Sequence, residues 1–196
     1  MIRVKSIGDK LKRFKEDLQK GLVDELIIDI IMTLNNDSNL KTTSSCSGRI
    51  VLLCFNELER KYASKRLSFH FMPPRSLFLD TLARILKHCE GLILIRVRGF
   101  IVDIETRISD TIRSLLRKLS FKTAIIKPTK NHKRIIIELR SSIILDIPLL
   151  NPPNEKIYYI VTRYLWRNLI DLNIFRNILW YTISSGNPSD EEATLK

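Results

Sequence analysis

The feature that most constrains this fold is the junction between a short polar segment and the buried-looking run that follows it. The run, Ile50 to Phe55, is unbroken and apolar, which is typical of a strand buried on both faces. The segment before it reads Thr42-Thr43-Ser44-Ser45-Cys46-Ser47-Gly48-Arg49, small residues closed by a guanidinium. We therefore predict a loop or a short edge strand at 42–49 that leads into a sheet.

The same polar segment predicts a binding site. Packing alone would not select so many adjacent hydroxyl groups, so a polar or anionic ligand is indicated. Composition by itself leaves an alternative open, because Ser, Thr and Gly are ordinary loop residues and a neighbouring Arg is often simply solvated.

Length and apolar content bound the architecture. The 196 residues, 44% of them hydrophobic, suffice for one domain with a real core. We predict a single domain over residues 1–186 and a disordered acidic tail over 187–196. No apolar stretch approaches bilayer-spanning length, and the N-terminus lacks the apolar core of a signal peptide. The default expectation is a cytoplasmic protein without a membrane segment.

The cysteines and histidines form no paired metal motif. The odd number of cysteines and the lack of CxxC spacing argue against both a disulfide framework and a zinc site, and we predict no metal. The residues concerned are Cys46, Cys54, Cys89, His70, His88 and His132.

The net charge of +12, with a pI near 9.8, indicates a polyanionic partner such as nucleic acid. An alternative is adaptation to a high-temperature cytoplasm, where Lys, Arg and Glu are abundant for other reasons. A turn between two β-rich runs concentrates the charge, and we predict that it contacts nucleic acid, with plain solvation as the alternative. The predicted contact residues are Lys127, Lys130, Lys133, Arg134 and, further along, Arg140.

Hydrophobic periodicity predicts an α+β fold: one mixed sheet covered by helices. Helices are expected near 7–18, 22–35, 76–86, 104–119 and 154–184, the third capped by Ser76 and the last by Asn154 with a break near Asn173. Strands are expected at 50–55, 67–72, 92–97, 121–127, 134–140 and 143–147, and residues 56–66 as a loop. No βαβ repeat or Gly-rich turn appears, so the Rossmann pattern of many methyltransferases is absent. Trp166, Trp180 and the tyrosines at 158, 159 and 164 have helical spacing, which favours core packing.

The order of residues in the polar segment is specific. Thr42 to Ile50 resembles the signature of the tRNA wybutosine-synthesising protein 3 family, S-adenosylmethionine-dependent tRNA methyltransferases. Lys20 to Asp24 is similar to the family's element before the signature, and Leu139 to Ser142 to its Ile-Arg-Ser-Thr segment. His70 is similar in place to a family histidine.

The resemblance implies methyl transfer from S-adenosylmethionine to the N4 position of the tricyclic base made from guanosine 37 of phenylalanine tRNA. The alternative is a non-catalytic RNA-binding protein that has kept the fold. Sulfonium methyl transfer needs alignment more than catalytic side chains. The oligomeric state is left open by the sequence.

Candidate roles follow from the residue types. The hydroxyls of Thr43, Ser44, Ser45 and Ser47, with Gly48 for close backbone approach, are predicted to bind the donor. The predicted catalytic residues are Ser45, Arg49, His70 and Asp24: Arg49 pairs with a carboxylate or phosphate, and His70 is either a base or an outward strand residue. Asp24 is either an acceptor in the site or simply an acid in the first turn of a helix. A nucleophilic role for Cys46 is disfavoured, since nitrogen methylation needs no covalent intermediate.

Overall fold

A computed structural model describes residues 7–21, 23–37, 39–55, 64–119, 122–129, 134–149 and 152–184. The chain divides into two compact units. Unit 1 comprises Met1–Ser45, Val102–Arg140 and Leu172–Lys196, and unit 2 comprises Cys46–Ile101 and Ser141–Asp171. The prediction of one domain over 1–186 stays a prediction, and the predicted acidic tail lies outside the described residues.

Five α-helices and one short 3-10 helix (Glu25–Ile27) are present in the described part of the chain. The helices are α1 (Ile7–Gln19), α2 (Ile28–Asn36), α3 (Arg75–His88), α4 (Asp110–Lys118) and α5 (Glu155–Ser184). Asn154 Oδ1 accepts a hydrogen bond from the N–H of Ile157, which confirms the predicted cap of α5. No helix in the described ranges has both the length and the apolar content needed to cross a bilayer.

Within the described ranges eight strands form two four-stranded sheets, so the expected fold class, α+β without a Rossmann pattern, is confirmed. The strands are β1 (Lys41–Cys46), β2 (Arg49–Phe55), β3 (Ser64–Phe69), β4 (Leu92–Arg98), β5 (Ile101–Thr106), β6 (Lys122–Pro128), β7 (Ile135–Ser141) and β8 (Ile144–Leu149). The orders are β1-β5-β7-β6 and β3-β2-β4-β8. The prediction of a single mixed sheet is therefore wrong.

The sheet of unit 1 has β1 at its edge, which confirms the edge-strand alternative for the first part of the polar segment. Along β5 the buried residues alternate as Val102, Ile104 and Thr106, the period of a strand with one face in a core. Asn35, near the end of α2, accepts the backbone N–H of Thr42 at 2.9 Å and so fixes the start of β1.

The sheet of unit 2 is antiparallel and has β2 in its interior. β2 pairs with β3 on one side and β4 on the other, and Ile50 to Cys54 are all buried, as the apolar run predicted. Phe78 and Leu82 of α3 pack against this sheet together with Val161 and Leu165 of α5. The β2 strand is thus held by hydrogen bonds on both edges and by a packed core.

Several local predictions were wrong. The helical period read at 104–119 begins with a strand, and the helix begins only at Asp110 after the Ser109 cap. Pro74, rather than Ser76, precedes α3. α5 runs through Asn173 without a break, and residues 64–66 belong to β3 rather than to a loop, while 56–63 lie outside the described residues.

The prediction that the aromatic side chains of α5 pack in the core is correct for two residues and wrong for three. Tyr158 and Tyr164 pack against the core of unit 2, as predicted. Tyr159, Trp166 and Trp180 are instead exposed, with 58–65% of their surface accessible. A 30-residue helix has a solvent side as well as a core side, and these three residues lie on the former.

The odd number of cysteines predicted that no disulfide is present, and this prediction was also wrong. Cys54, near the end of β2, forms a disulfide with Cys89, which follows α3, with Cα atoms 6.0 Å apart. Their separation of 35 residues has no local signature, because only the packing of α3 on the sheet brings the two positions together.

Candidate active site

The centre of the candidate site in unit 2 is the two-residue turn Ser47–Gly48 between β1 and β2. Both residues are buried, and Gly48 has a φ of 111°, a conformation that side chains other than glycine rarely adopt. The prediction that Gly48 lets the backbone approach a donor closely stays a prediction.

Asn168 of α5 holds this turn. Its Nδ2 donates a hydrogen bond to the Ser47 carbonyl at 2.6 Å, and its Oδ1 accepts the backbone N–H of Phe100 at 2.8 Å. The side chain is 2% exposed. One carboxamide therefore joins the β1–β2 turn to the β4–β5 connection.

The β4–β5 connection is also tightly packed. A Cβ placed on Gly99 would lie 2.4 Å from Ser141 Cβ and 3.0 Å from Asn168 Oδ1. The Ser141 hydroxyl donates to Asp171 at 2.9 Å and accepts from the N–H of Ile143 at 3.3 Å. Buried polar groups here are satisfied by one another, which gives a rigid support for the strand ends.

Two arginines stand opposite each other at the end of the sheet beside the turn. Arg49 of β2 is in register with Arg98 of β4, so both side chains emerge on the same face. Arg49 is exposed, and no hydrogen bond or ion pair engages it among the described residues. Like charges directly across a strand pair are unfavourable unless an anion joins them.

One carboxylate lies near this arginine pair. Asp146 of β8 accepts two hydrogen bonds from Arg96, at 2.9 and 2.8 Å, and lies 3.7 Å from Arg98. The hydrogen bond from Arg96 lowers the pKa of Asp146, and the same bond raises the pKa of Arg96. Because Asp146 is mainly engaged by Arg96, the end of the sheet keeps an excess of positive charge.

His70 lies just beyond the end of β3 and is exposed. Its Nδ1 is 3.7 Å from the sulfur of Cys46, the last residue of β1. His70 thus lies outside the alternating strand pattern, and unit 2 contains it together with Cys46, Ser47, Gly48 and Arg49.

The other predicted site residues belong to unit 1. Thr43 and Ser44 are exposed on the edge strand β1. The Ser45 hydroxyl oxygen is buried and has no hydrogen-bond partner among the described residues. Asp24 precedes the 3-10 helix and accepts the N–H of Leu26 at 3.3 Å, and its role as an acceptor in the site stays a prediction.

The matching family model and the similar curated proteins indicate the same protein family. The family described as Methyltransferase TYW3 matches residues 3–174, most of the chain. The tRNA(Phe) 7-((3-amino-3-carboxypropyl)-4-demethylwyosine(37)-N(4))-methyltransferase of Thermococcus sibiricus is 34% identical over 143 residues, 71% of each chain. The corresponding methyltransferase 1 of Pyrococcus furiosus is 36% identical over 137 residues, 67% of each chain.

The chain belongs to the TYW3 methyltransferase family. The structure search supports the same fold: the PH1069 protein from Pyrococcus horikoshii has a TM-score of 0.72 at 28% identity, with 88% of this chain and 93% of that chain covered. The resemblance read from Thr42 to Ile50 is thereby confirmed.

Three of the basic residues predicted to contact nucleic acid are described, and they lie in or beside the sheet of unit 1. Lys127 and Arg140 both form ion pairs with Glu138, and Arg134 lies 3.8 Å from Glu105. Lys130 and Lys133 lie outside the described residues. The charge of the three described cations is therefore compensated locally, at least in part.

Two residues of the candidate site, Arg98 and Asn168, were not predicted from the sequence. Arg98 lies in a strand read only as apolar, although the alternation of Arg96 and Arg98 with buried Ile95 and Val97 was a usable signal. Asn168 gave no local signal, because an amide within an amphipathic helix resembles any other polar residue.

Proposed function

We propose that this protein transfers the methyl group of S-adenosylmethionine to N4 of the demethylwyosine-type base at position 37 of tRNA(Phe), the reaction named for its curated relatives. The observation that carries the proposal is Arg49, unpaired among the described residues and opposite Arg98 at a rigid, glycine-containing turn within the family's signature. A cytoplasmic location and the absence of a resident metal remain predictions from the sequence.

The residues present suit a donor with an amino-acid end and a ribose. Two guanidiniums side by side match a carboxylate, which each can bind through paired N–H groups. The Ser45 hydroxyl, buried and without a hydrogen-bond partner among the described residues, is a polar group that a ligand would satisfy. Thr43, Ser44 and Ser47 supply further polar groups, and Gly48 adds no side chain of its own to the turn.

When bound, the donor would supply an electrophilic methyl group on a sulfonium. The base nitrogen would bond to the methyl carbon in line as the carbon–sulfur bond breaks, and the neutral thioether would leave. The protein's part is to align the two reactants and to exclude alternative geometries, a contribution that reaches several powers of ten in rate. His70 and Asp24 are the proposed acceptors for a proton leaving the nitrogen. For His70 the support is its exposed position beyond β3, 3.7 Å from Cys46.

For tRNA, we propose contact through the basic turn between β6 and β7 and through Arg140. A net charge of +12 supplies long-range attraction for a polyanion. Lys127, Arg134 and Arg140 are partly neutralised by Glu138 and Glu105, so Lys130 and Lys133 are assigned the larger share of phosphate contact.

The experiment is a calorimetric titration of the purified protein with S-adenosylmethionine, with and without tRNA. We expect wild-type binding, and at least tenfold weaker binding for Ser45→Ala and Arg49→Ala, each variant losing one or more polar contacts to the donor. The matched controls are Ser76→Ala and Arg163→Ala, exposed residues of α3 and α5, which should bind as wild type does.

Two results would count against the proposal. Wild-type protein that binds tRNA but no donor under any condition would favour the non-catalytic RNA-binding alternative. Donor binding that is equally strong in all four variants would remove the signature residues from the donor site.

A further inference from the structure

Methyl transfer itself does not require an amide at Asn168. The Ser47–Gly48 turn does require it, because the Asn168 side chain binds the Ser47 carbonyl. We propose that Asn168 is a positioning residue of the methyl-transfer site, whose side-chain amide fixes the Ser47–Gly48 turn and through it the placement of Arg49. This inference rests on the proposed function for its consequence in catalysis, and on geometry within unit 2 for the positioning itself.

The first support is that both halves of the amide are used at once. The Ser47 carbonyl requires a donor and the Phe100 N–H requires an acceptor, and Asn168 supplies them at 2.6 and 2.8 Å. A carboxamide carries a donor and an acceptor on one short planar group. A carboxylate of the same shape would place an oxygen against the Ser47 carbonyl oxygen, so aspartate cannot replace it.

The second support is the space around the amide. A Cβ on Gly48 would lie 2.6 Å from Asn168 Nδ2 and 2.9 Å from the Arg98 carbonyl, closer than real contacts allow. A Cβ on Gly99 would approach Asn168 Oδ1 to 3.0 Å. The side chain therefore fills the space that both glycines leave open, and the backbone on either side has no room to shift toward it.

The third support is the chain path from the turn to the arginine pair. Arg49 directly follows Gly48 and opens β2 opposite Arg98, the last residue of β4. Arg98 in turn directly precedes Gly99, in the connection whose Phe100 N–H the same amide binds. Asn168 thus holds the two segments that present the two guanidiniums, and a displacement of about 1 Å at such a site is enough to lower a rate a hundredfold.

The test compares Asn168→Ala with Asn177→Ala, an exposed asparagine on the same helix. We expect Asn168→Ala to lower kcat about a hundredfold while KM for tRNA changes less than about threefold, since tRNA phosphate contacts lie elsewhere. Hydrogen exchange at residues 46–50 should become at least tenfold faster, and exchange at 92–97 should be unchanged. Asn177→Ala should match wild type in each measurement.

The outcomes separate this inference from the proposed function. A kcat within about threefold of wild type, or an equal loss of protection across all of unit 2, would overturn the positioning role. If Asn168→Ala does not fold, Asn168→Ser, which retains a hydroxyl for one of the two partners, is judged by the same criteria. If the wild type transfers no methyl group, the proposed function fails, and exchange at 46–50 still decides whether Asn168 holds the turn.

Discussion

Basic side chains have different charged neighbours in the sheets of the two units. In unit 1, Arg140 and Lys127 share Glu138, and Arg134 lies near Glu105, so these three cations have carboxylate neighbours. In unit 2, Arg49 faces Arg98 across two strands, and the nearby Asp146 is engaged mainly by Arg96.

This difference predicts a role in stability for the first set of charges and a role in anion binding for the second. Compensated charges on a sheet stabilise the fold modestly and leave little net field. An arginine that faces another arginine costs stability in the free protein and gains it only when an anion binds. We therefore expect substitutions in unit 1 to change stability and substitutions at the arginine pair to change activity.

The largest expected effect is on activity at Arg49. Arg49→Ala should lower kcat/KM for methyl transfer at least a hundredfold, because a charge-assisted pair with the ligand is lost. Its melting temperature should stay within about 2 °C of wild type, since the side chain is exposed and has no protein partner among the described residues. Steady-state kinetics and calorimetry check both, with Arg163→Ala as the control. A large fall in melting temperature would make Arg49 a structural residue.

The opposite pattern is expected at Glu138. This side chain is 7% exposed, and its removal leaves Lys127 and Arg140 without their shared partner. Glu138→Ala should lower the melting temperature by roughly 5 °C or more while kcat of the folded protein stays within about twofold. Asp80→Ala, an exposed acid on α3, is the control. A variant of normal stability and lost activity would place Glu138 in the reaction instead.

A smaller effect is expected on tRNA affinity at the basic turn. The double variant Lys130→Glu and Lys133→Glu should weaken tRNA binding roughly tenfold at moderate salt and flatten the dependence of affinity on salt concentration. Filter binding or anisotropy at several salt concentrations measures both, with Lys87→Glu on α3 as the control. Unchanged affinity would exclude this turn from the tRNA surface.

The smallest expected effect is pH-dependent stability at Asp146. The pKa of Asp146 is lowered by Arg96, so its contribution is present above the unfolded pKa near 4 and is lost as pH falls through the still lower folded value. Asp146→Asn should melt about 1–3 °C below wild type at pH 7, with the difference shrinking below about pH 4. A difference that persists at pH 2 would show that the ion pair is not its cause.

The sequence predicted those parts of the site that are local. The polar segment, the buried strand after it and the cap at Asn154 depend on residues close together in the chain, and the structure contains all of them. Hydrophobic pattern and short-range hydrogen bonding determine such features.

The parts that were missed depend on distant pairing. Ile104 fell by coincidence on a helical period with Ile108 and Ile112, while its true period of two became visible only with β7 as a neighbour. Two sheets were read as one because strand order is not written in the periodicity of any strand. Asn168 meets the turn across 121 positions of sequence, and no local rule connects them.

The disulfide between Cys54 and Cys89 has a practical consequence. All three cysteines lie in the described part of the chain, and Cys46 is the one that is outside the disulfide. A maleimide dye added to the unreduced wild-type protein should therefore attach once, one residue before the Ser47–Gly48 turn. The native chain thus offers a fluorescence reporter of ligand arrival at the signature without any engineered cysteine.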